Sequence, residues 1–305
     1  MASGSKKVIL AALIGNGLIS VTKFTAASIT GSSAMLSEGI HSLVDTGNQV
    51  LLLYGLKRAK KPADQRFPFG HGKEIYFWSF VVAILIFAIG AGVSLYEGVH
   101  HILHPGEIND PTINYIVLVL AMIFEGFALY FAVTEFNKAR GSVGYIEAVQ
   151  RGKDPSLFVV LFEDCAAMLG LIVAFIGIYL AQVTGMAIWD GVASVVIGVI
   201  LSATAIWLAY ETKSLLIGES ASPQTVENIK TLALKYPEIK TVNHVLTLHM
   251  GPDYILANVS IEFSDDLKVG ALETVTEKLT RDIKADNDTV KRVFIEAEDL
   301  KTPRS

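Results

Sequence analysis

Six long apolar segments constrain the possible fold of this chain more than any other feature of its sequence. Each is long enough for an α-helix to cross the hydrocarbon of a bilayer, which takes about 20 mostly apolar residues. Charged residues make up 18% of the chain, whereas they make up about a quarter of an ordinary soluble domain. We therefore predict six transmembrane helices near Val8–Ile29, Ser33–Leu56, Ile75–Ile102, Ile113–Phe136, Leu157–Val183 and Ala187–Tyr210.

The first apolar segment could instead be a cleaved signal peptide, because Lys6 and Lys7 precede it. Against that interpretation, the segment continues past Lys23, and a very short turn joins it to the second segment. We therefore interpret it as a transmembrane helix.

Basic residues in the predicted connections define the orientation of the helices. The connection after the second helix carries Lys57, Arg58, Lys60, Lys61, Arg66 and Lys73, and the one after the fourth carries Lys138, Arg140, Arg151 and Lys153. The three alternate connections contain no lysine or arginine: Thr30–Ser32, Leu103–Thr112 and Thr184–Met186. Because positively charged loops stay in the cytoplasm, both termini are predicted to be cytoplasmic.

From Gly218 onward the sequence is that of a small soluble domain. The predicted elements are a helix from Ser222-Pro223 to about Tyr236, strands Val242–Met250 and Tyr254–Phe263, a helix Leu267–Ala285 and a strand Val290–Ile295. This αββαβ order favours a three-stranded sheet with two helices on one face, as in ferredoxin-like and metallochaperone-like domains. We therefore predict residues 1–217 as a transmembrane domain and residues 218–305 as a cytoplasmic α+β domain, whose modest core favours dimerisation.

The second predicted helix carries four polar residues on one face, because Glu38, His41, Asp45 and Asn48 are separated by three or four positions. An ionisable side chain at the centre of a bilayer costs about 2.5–3.5 kcal/mol even on the insertion scale, so such groups need partners. His41 and Asp45 are one helical turn apart, and imidazole with carboxylate suits zinc and similar divalent ions. The alternative is a structural hydrogen bond within a helix bundle.

The fifth predicted helix contains the adjacent acids Glu163 and Asp164. Adjacent side chains point about 100° apart on a helix. One of them could therefore complete a site with His41 and Asp45, while the other turns to a neighbouring helix or to water. Cys165 could donate a thiolate, but a lone cysteine in a helix is more often a small apolar filler.

Further charged residues within the predicted helices also need partners. Lys23 and Glu38 lie near the outer ends of adjacent helices, so we predict that they pair with each other rather than that Glu38 binds metal. Glu125, midway through the fourth helix, could be a proton-relay group, a further ligand, or a partner of Asn16. Asp190 is predicted at the outer N-terminus of the sixth helix, where the helix dipole favours it.

At the outer end of the third predicted helix stand His100, His101 and His104. Imidazoles one turn apart could hold a metal weakly, but an interfacial cluster without function is the better interpretation. The net charge of −5 gives no support to nucleic-acid binding, and the single cysteine excludes an intramolecular disulfide framework.

The chain resembles the cation diffusion facilitator family across essentially its whole length. The resemblance rests on Gly31-Ser-Ser-Ala-Met-Leu-Ser-Glu-Gly-Ile-His-Ser-Leu-Val-Asp45, on Phe69-Gly-His-Gly-Lys-Glu74 and on the predicted cytoplasmic domain. Leu161-Phe-Glu-Asp-Cys-Ala-Ala167 is similar to the branch that contains the mitochondrial zinc transporter. The resemblance implies a homodimeric exporter that exchanges a divalent metal for protons by alternating access.

Carried over residue by residue, the family's transport site implies His41, Asp45 and Asp164 as ligands of the metal. The fourth ligand position falls on Val160, which cannot bind metal, and this leaves Glu163, water or Glu125 to fill it.

Two further metal sites are implied by the family pattern, and neither is complete. In the loop after the second helix, Asp64 and His71 match, but Phe67 stands where a histidine ligand would be. The alternative there is a polar loop whose basic residues face lipid headgroups. In the cytoplasmic domain His244, Glu296 and Glu298 lie near ligand positions, while Ser260 and Leu272 replace other ligands.

The resulting hypothesis is a transporter that exports a divalent transition metal, with Zn²⁺ as the favoured ion, from the cytoplasm in exchange for protons. The metal is its substrate, and no cofactor is required. Mn²⁺, Fe²⁺, Co²⁺ and Cd²⁺ remain alternatives, because selectivity depends on site geometry. A membrane metal sensor without transport is one rival; an intramembrane metalloenzyme is another, disfavoured because the chain lacks His-Glu-x-x-His and is therefore not expected to be an enzyme. The compact chain with short loops favours a prokaryotic inner membrane.

Overall fold

The structure, a computed structural model, describes residues 2–105 and 111–299, with the side chains of residues 2–12, 14, 15 and 151 outside the description. The predicted outer connection Leu103–Thr112 therefore lies partly outside the described residues, as do the side chains of Lys6, Lys7 and Arg151. The chain divides into two compact units. The first comprises Met1–Lys57 and Ile75–Lys213, and the second comprises Arg58–Glu74 and Ser214–Ser305.

Long helices dominate the first part of the chain. Their bounds are α1 (Ala2–Thr30), α2 (Ser33–Ala59), α3 (Glu74–Leu85), a π-helical segment (Ile86–Ala91), α4 (Gly92–Leu103), α5 (Thr112–Arg140), the short α6 (Tyr145–Arg151), α7 (Pro155–Thr184) and α8 (Ile188–Ile217). The segments from α3 to α4 form one continuous helical stretch, Glu74–Leu103.

Four stretches among the described helices are long and apolar enough to cross a membrane: Glu74–Leu103, Thr112–Arg140, Pro155–Thr184 and Ile188–Ile217. The helix α2 is less apolar because it carries buried Glu38, His41, Asp45 and Asn48.

Small residues allow these helices to approach closely. A Cβ atom at Gly177 of α7 would collide with the side chain of Ala193 in α8, and one at Gly98 of α4 would lie 2.6 Å from the backbone nitrogen of Val195. In a bilayer such close packing is a main source of helix association, because burial of apolar surface supplies no driving force there.

The second unit contains α9 (Pro223–Ala233), β1 (Ile239–Gly251), β2 (Tyr254–Phe263), α10 (Val269–Asp286) and β3 (Val290–Ala297). The sheet has the order β1-β2-β3, with β1 antiparallel and β3 parallel to the central β2. Ser222 caps α9 by accepting a hydrogen bond from the backbone N–H of Thr225, and Pro223 occupies the first turn. The expected combination of a helical membrane-type domain with a small C-terminal sheet domain is therefore confirmed.

The core of this C-terminal fold joins both helices to the sheet. Apolar side chains of α9 and α10, such as Ile229, Leu279 and Ile283, lie in one cluster with Val259 and Ile261 of β2. Alternate residues of β2 are buried, which is the pattern of a central strand with one face on a core.

Candidate metal sites

The imidazole of His41 and the carboxylate of Asp45 face each other on α2. The distance from His41 Nδ1 to Asp45 Oδ1 is 3.4 Å, and His41 is only 1% exposed. Within the described part of the chain, neither ring nitrogen of His41 nor Oδ1 of Asp45 has a hydrogen-bond partner. Buried polar groups are normally hydrogen-bonded, so this pair is costly for the fold and has free lone pairs to offer a cation.

The carboxylates of Glu163 and Asp164 on α7 are also buried. Asp45 interacts electrostatically with both of them and with Glu125 of α5. The predicted ligands on α2, α5 and α7 therefore lie within electrostatic range of Asp45, but among the described residues they form no set of three whose ligand atoms all lie within 4.8 Å of one another. The four side chains Asp45, Glu125, Glu163 and Asp164 are all buried, and a divalent cation among them would offset part of their negative charge.

Asn48 connects this region across the helix pair. Its Nδ2 donates a hydrogen bond of 2.7 Å to Glu163 Oε1, so Glu163 turns toward α2. The sequence places Asn48 on the polar face of α2 but does not identify its partner. The spacing of three residues places Asn48 on the same helical face as Asp45. Which residue Asn48 contacts depends on how α2 and α7 pack.

The prediction that Lys23 pairs with Glu38 is confirmed. Lys23 Nζ lies 2.9 Å from Glu38 Oε2 and donates a second hydrogen bond to Ser42 Oγ at 2.7 Å. Both charged side chains are fully buried. Glu38 is therefore engaged by α1 on the face that also carries His41.

The remaining intramembrane candidates differ in their surroundings. Glu125 interacts electrostatically with Asp164 and Asp45. Cys165 is a free, partly exposed thiol.

Asp190 lies in the first turn of α8, but its carboxylate caps the N-terminus of α2. It accepts hydrogen bonds from the hydroxyl of Ser32 and from the backbone N–H groups of Ser33 and Ala34, which are the first residues of α2. The expectation from the sequence placed Asp190 correctly at a helix N-terminus and missed that it caps a second one. His101 Nε2 lies 3.8 Å from Asp190 Oδ2. The imidazole rings of His100 and His104 instead contact each other, with their centroids 5.0 Å apart.

In the loop between α2 and α3, Asp64 and His71 are in direct contact. His71 Nε2 lies 3.0 Å from Asp64 Oδ2, and the His71 ring also packs against Phe67. The hydrogen bond with His71, followed by one from the backbone of Phe67, holds the pKa of Asp64 below its usual value. On its other side, His71 Nδ1 lies 3.8 Å from Glu74 Oε1.

His244, Glu296 and Glu298 form the tightest set of ligand-type side chains. Among the described residues they are the one group of three or more whose ligand atoms all lie within 4.8 Å of one another. The register explains this: His244 and Glu296 are both paired with Ser260 of the central strand. Ser260 Oγ donates to Glu298 Oε2 at 2.6 Å and so holds that carboxylate beside the strand ends.

Comparison with known proteins agrees with these features. The model of the cation efflux transmembrane domain matches residues 9–217, about the whole helical part of the chain. The chain therefore belongs to the cation efflux family, as the resemblance to cation diffusion facilitators implied, near the branch of the mitochondrial zinc transporter.

The relatives include the mitochondrial proton-coupled zinc antiporter SLC30A9 of Xenopus laevis, 34% identical over 85% of this chain and 47% of the relative. The human SLC30A9 protein is 33% identical over 85% of this chain and 46% of the relative. The manganese efflux system protein MneP of Bacillus subtilis is 23% identical over 95% of both chains. The chain thus spans about half the length of the SLC30A9 relatives and nearly all of the bacterial one.

Proposed function

We propose that this protein exports a divalent transition metal, with Zn²⁺ as the favoured ion, from the cytoplasm in exchange for protons, by alternating access in a homodimer. The observation that carries the proposal is the buried His41–Asp45 pair, whose facing nitrogen and oxygen have no hydrogen-bond partner among the described residues. Carboxylates from α7 and α5 that interact electrostatically with Asp45 add negative charge and further candidate groups around the pair.

His41, Asp45, Asp164 and Glu163 are the proposed ligands, and Glu125 is the proposed proton relay. Metal binding requires neutral imidazole and ionised carboxylates, so metal and protons compete for the same lone pairs. Binding of metal from the cytoplasm then expels protons, and protonation from the other side releases the metal. The protonated ligands would carry the return step.

Zinc is favoured because imidazole with carboxylates is a usual zinc ligand set. Zinc antiport and manganese efflux, the functions for which the relatives are named, both fit a site of this composition. Carboxylate oxygens also suit Mn²⁺. Competition between the two metals is therefore part of the test.

The proposed topology has six spans, with α1 and α2 joining the four strongly apolar stretches and both termini in the cytoplasm. Residues 1–217 form the transport domain, and residues 218–305 form a cytoplasmic domain for dimerisation and regulation. Hydrogen bonds between α1 and α2, such as Ser20 Oγ to the carbonyl of Gly39, support a place for both helices in one bundle. A prokaryotic inner membrane is the proposed location, and the bacterial manganese efflux protein is one of the relatives in sequence.

The test is metal flux into proteoliposomes with an imposed pH gradient and with Zn²⁺ and Mn²⁺ in competition. We expect Asp45→Ala to abolish flux and to weaken metal binding. Glu135→Gln is the matched control, because Glu135 is an exposed carboxylate paired with Lys138 on α5. If Asp45→Ala retained both binding and transport, the assignment would be wrong.

A membrane metal sensor is the second candidate. The His244–Glu296–Glu298 set favours it, because the ligand atoms of these three residues all lie within 4.8 Å of one another. We propose that this set, and less strongly Asp64 with His71, bind metal in a regulatory role. Metal binding without flux in proteoliposomes would identify a sensor; loss of bound metal in His244→Ala with flux intact would identify regulation of a transporter.

A further inference from the structure

Val160 stands where the family pattern implies a fourth ligand of the proposed transport site, and its side chain cannot bind metal. Glu163 lies three positions further along α7, which places it on nearly the same helical face as Val160. Its carboxylate is buried, and it lies beside the like charge of Asp164. A glutamate side chain with several rotatable bonds needs a further contact to hold one orientation in such surroundings.

Asn48 supplies that contact from α2. It is fully buried, and its Nδ2 donates to Glu163 Oε1 at 2.7 Å. Within residues 2–105 and 111–299 its own Oδ1 has no hydrogen-bond partner. Packing alone does not account for an amide here, because an apolar side chain of the same shape would avoid burying an unpaired oxygen.

We propose that Asn48 is a positioning residue that holds Oε1 of Glu163 and thereby presents the other carboxylate oxygen to the metal bound by His41 and Asp45. The inference rests on the proposed function, and it deepens that function by naming how the ligand absent at Val160 is replaced. Asn48 acts through Glu163, so it determines the affinity for metal without being a ligand itself. Residues that orient metal ligands in this way usually change metal affinity 10- to 100-fold when removed.

The alternative is that Asn48 only joins α2 to α7. A structural role of that kind changes stability and leaves the affinity for metal unchanged. Asn114 offers a matched control, because it is a fully buried asparagine of α5 whose Oδ1 accepts a hydrogen bond from Thr30. Asn114→Leu removes a similar buried contact, outside the proposed ligand set.

The experiment measures Zn²⁺ affinity of the full chain in detergent, and KM and kcat for Zn²⁺ flux in proteoliposomes. All variants carry His244→Ala, so that the C-terminal set contributes no zinc site. The variants are Asn48→Leu, Glu163→Ala, the double substitution and Asn114→Leu, with Asn48→Ala used in place of Asn48→Leu if the latter does not fold.

We expect Asn48→Leu to weaken Zn²⁺ binding about 10- to 100-fold and to raise KM, while the folded fraction stays comparable to that of Asn114→Leu. The double substitution should bind Zn²⁺ no more weakly than Glu163→Ala alone, because Asn48 acts through Glu163. The inference is overturned if Asn48→Leu keeps the parent affinity and KM, or if the two effects multiply in the double variant. A parent protein whose Zn²⁺ flux equals that of Asp45→Ala would overturn the proposed function itself.

Discussion

The buried ion pair between Lys23 and Glu38 makes the most direct test of the helix packing. Lys23→Met keeps an unbranched apolar chain of similar length and removes the ammonium group. Because both side chains are 0% exposed, the substitution leaves the Glu38 carboxylate buried without its cation and without access to water. Its other oxygen, Oε1, has no hydrogen-bond partner among the described residues, so no existing bond compensates for the loss.

The expected destabilisation is about 3–5 kcal/mol, the usual consequence of breaking a buried pair by removing one partner. For a unit of roughly 200 residues, each kcal/mol shifts the Tm by about 2–4 °C, so Tm should fall by about 6–20 °C. In Lys23→Met/Glu38→Gln both charges are gone, and replacement of a whole buried pair is often close to neutral. The double variant should therefore be more stable than Lys23→Met alone.

The assay is the fraction of monodisperse protein that survives heating in detergent, followed by size-exclusion chromatography with fluorescence detection. Lys138→Met is the control, because Lys138 pairs with Glu135 in an exposed position where an ion pair contributes about 0–1 kcal/mol. A Tm of Lys23→Met equal to that of Lys138→Met would refute the reasoning. So would additive losses in the double variant, since they would mean that the two charges do not interact.

Three other expectations concern separate parts of the molecule. Asp190→Ala should destabilise the protein by at least about 2 kcal/mol, because it removes the acceptor for the first N–H groups of α2. Asp190→Asn should destabilise it less. Faster amide hydrogen exchange in the first turn of α2 checks this prediction. Gly177→Ala should lower the stability of the protein by about 1–3 kcal/mol, because it overpacks α7 against α8. Gly47→Ala should instead raise the stability by up to about 1 kcal/mol, because a Cβ there would meet no described atom within 4 Å. Thermal unfolding of the two variants distinguishes these outcomes. Burial, and then the hydrogen bond to Asp282, raise the pKa of Tyr236 to about 12. The stabilisation of its neutral hydroxyl is therefore complete below the ordinary pKa of about 10 and is lost as the pH rises through 12. Between about pH 10 and 12 the stability of the C-terminal unit against urea should fall less in Tyr236→Phe than in the parent protein.

Several features of the site were predictable because they depend on residues close together in the sequence. The i, i+4 spacing of His41 and Asp45 places them face to face on any helix, and the structure has them 3.4 Å apart. Lys23 and Glu38 were predictable as partners because a very short turn joins their helices, which restricts which turns can meet. The strands were predictable from alternation, and the register then brought His244 and Glu296 to either side of Ser260.

Contacts between distant segments were decided by the tertiary structure alone. The bond from Asn48 to Glu163 joins residues 115 positions apart, and the cap of α2 by Asp190 spans more than 150. The grouping of the loop 58–74 with the C-terminal unit was likewise absent from the sequence pattern. A helical repeat determines which residues share a face, whereas the rotation and approach of each helix depend on packing against its neighbours, including the glycine contacts of α7 with α8. The sequence by itself therefore determined the apolar helices, the His41–Asp45 pair and the acids available to it. Only the packing of α2 against α7 decided that Glu163 accepts a hydrogen bond from Asn48.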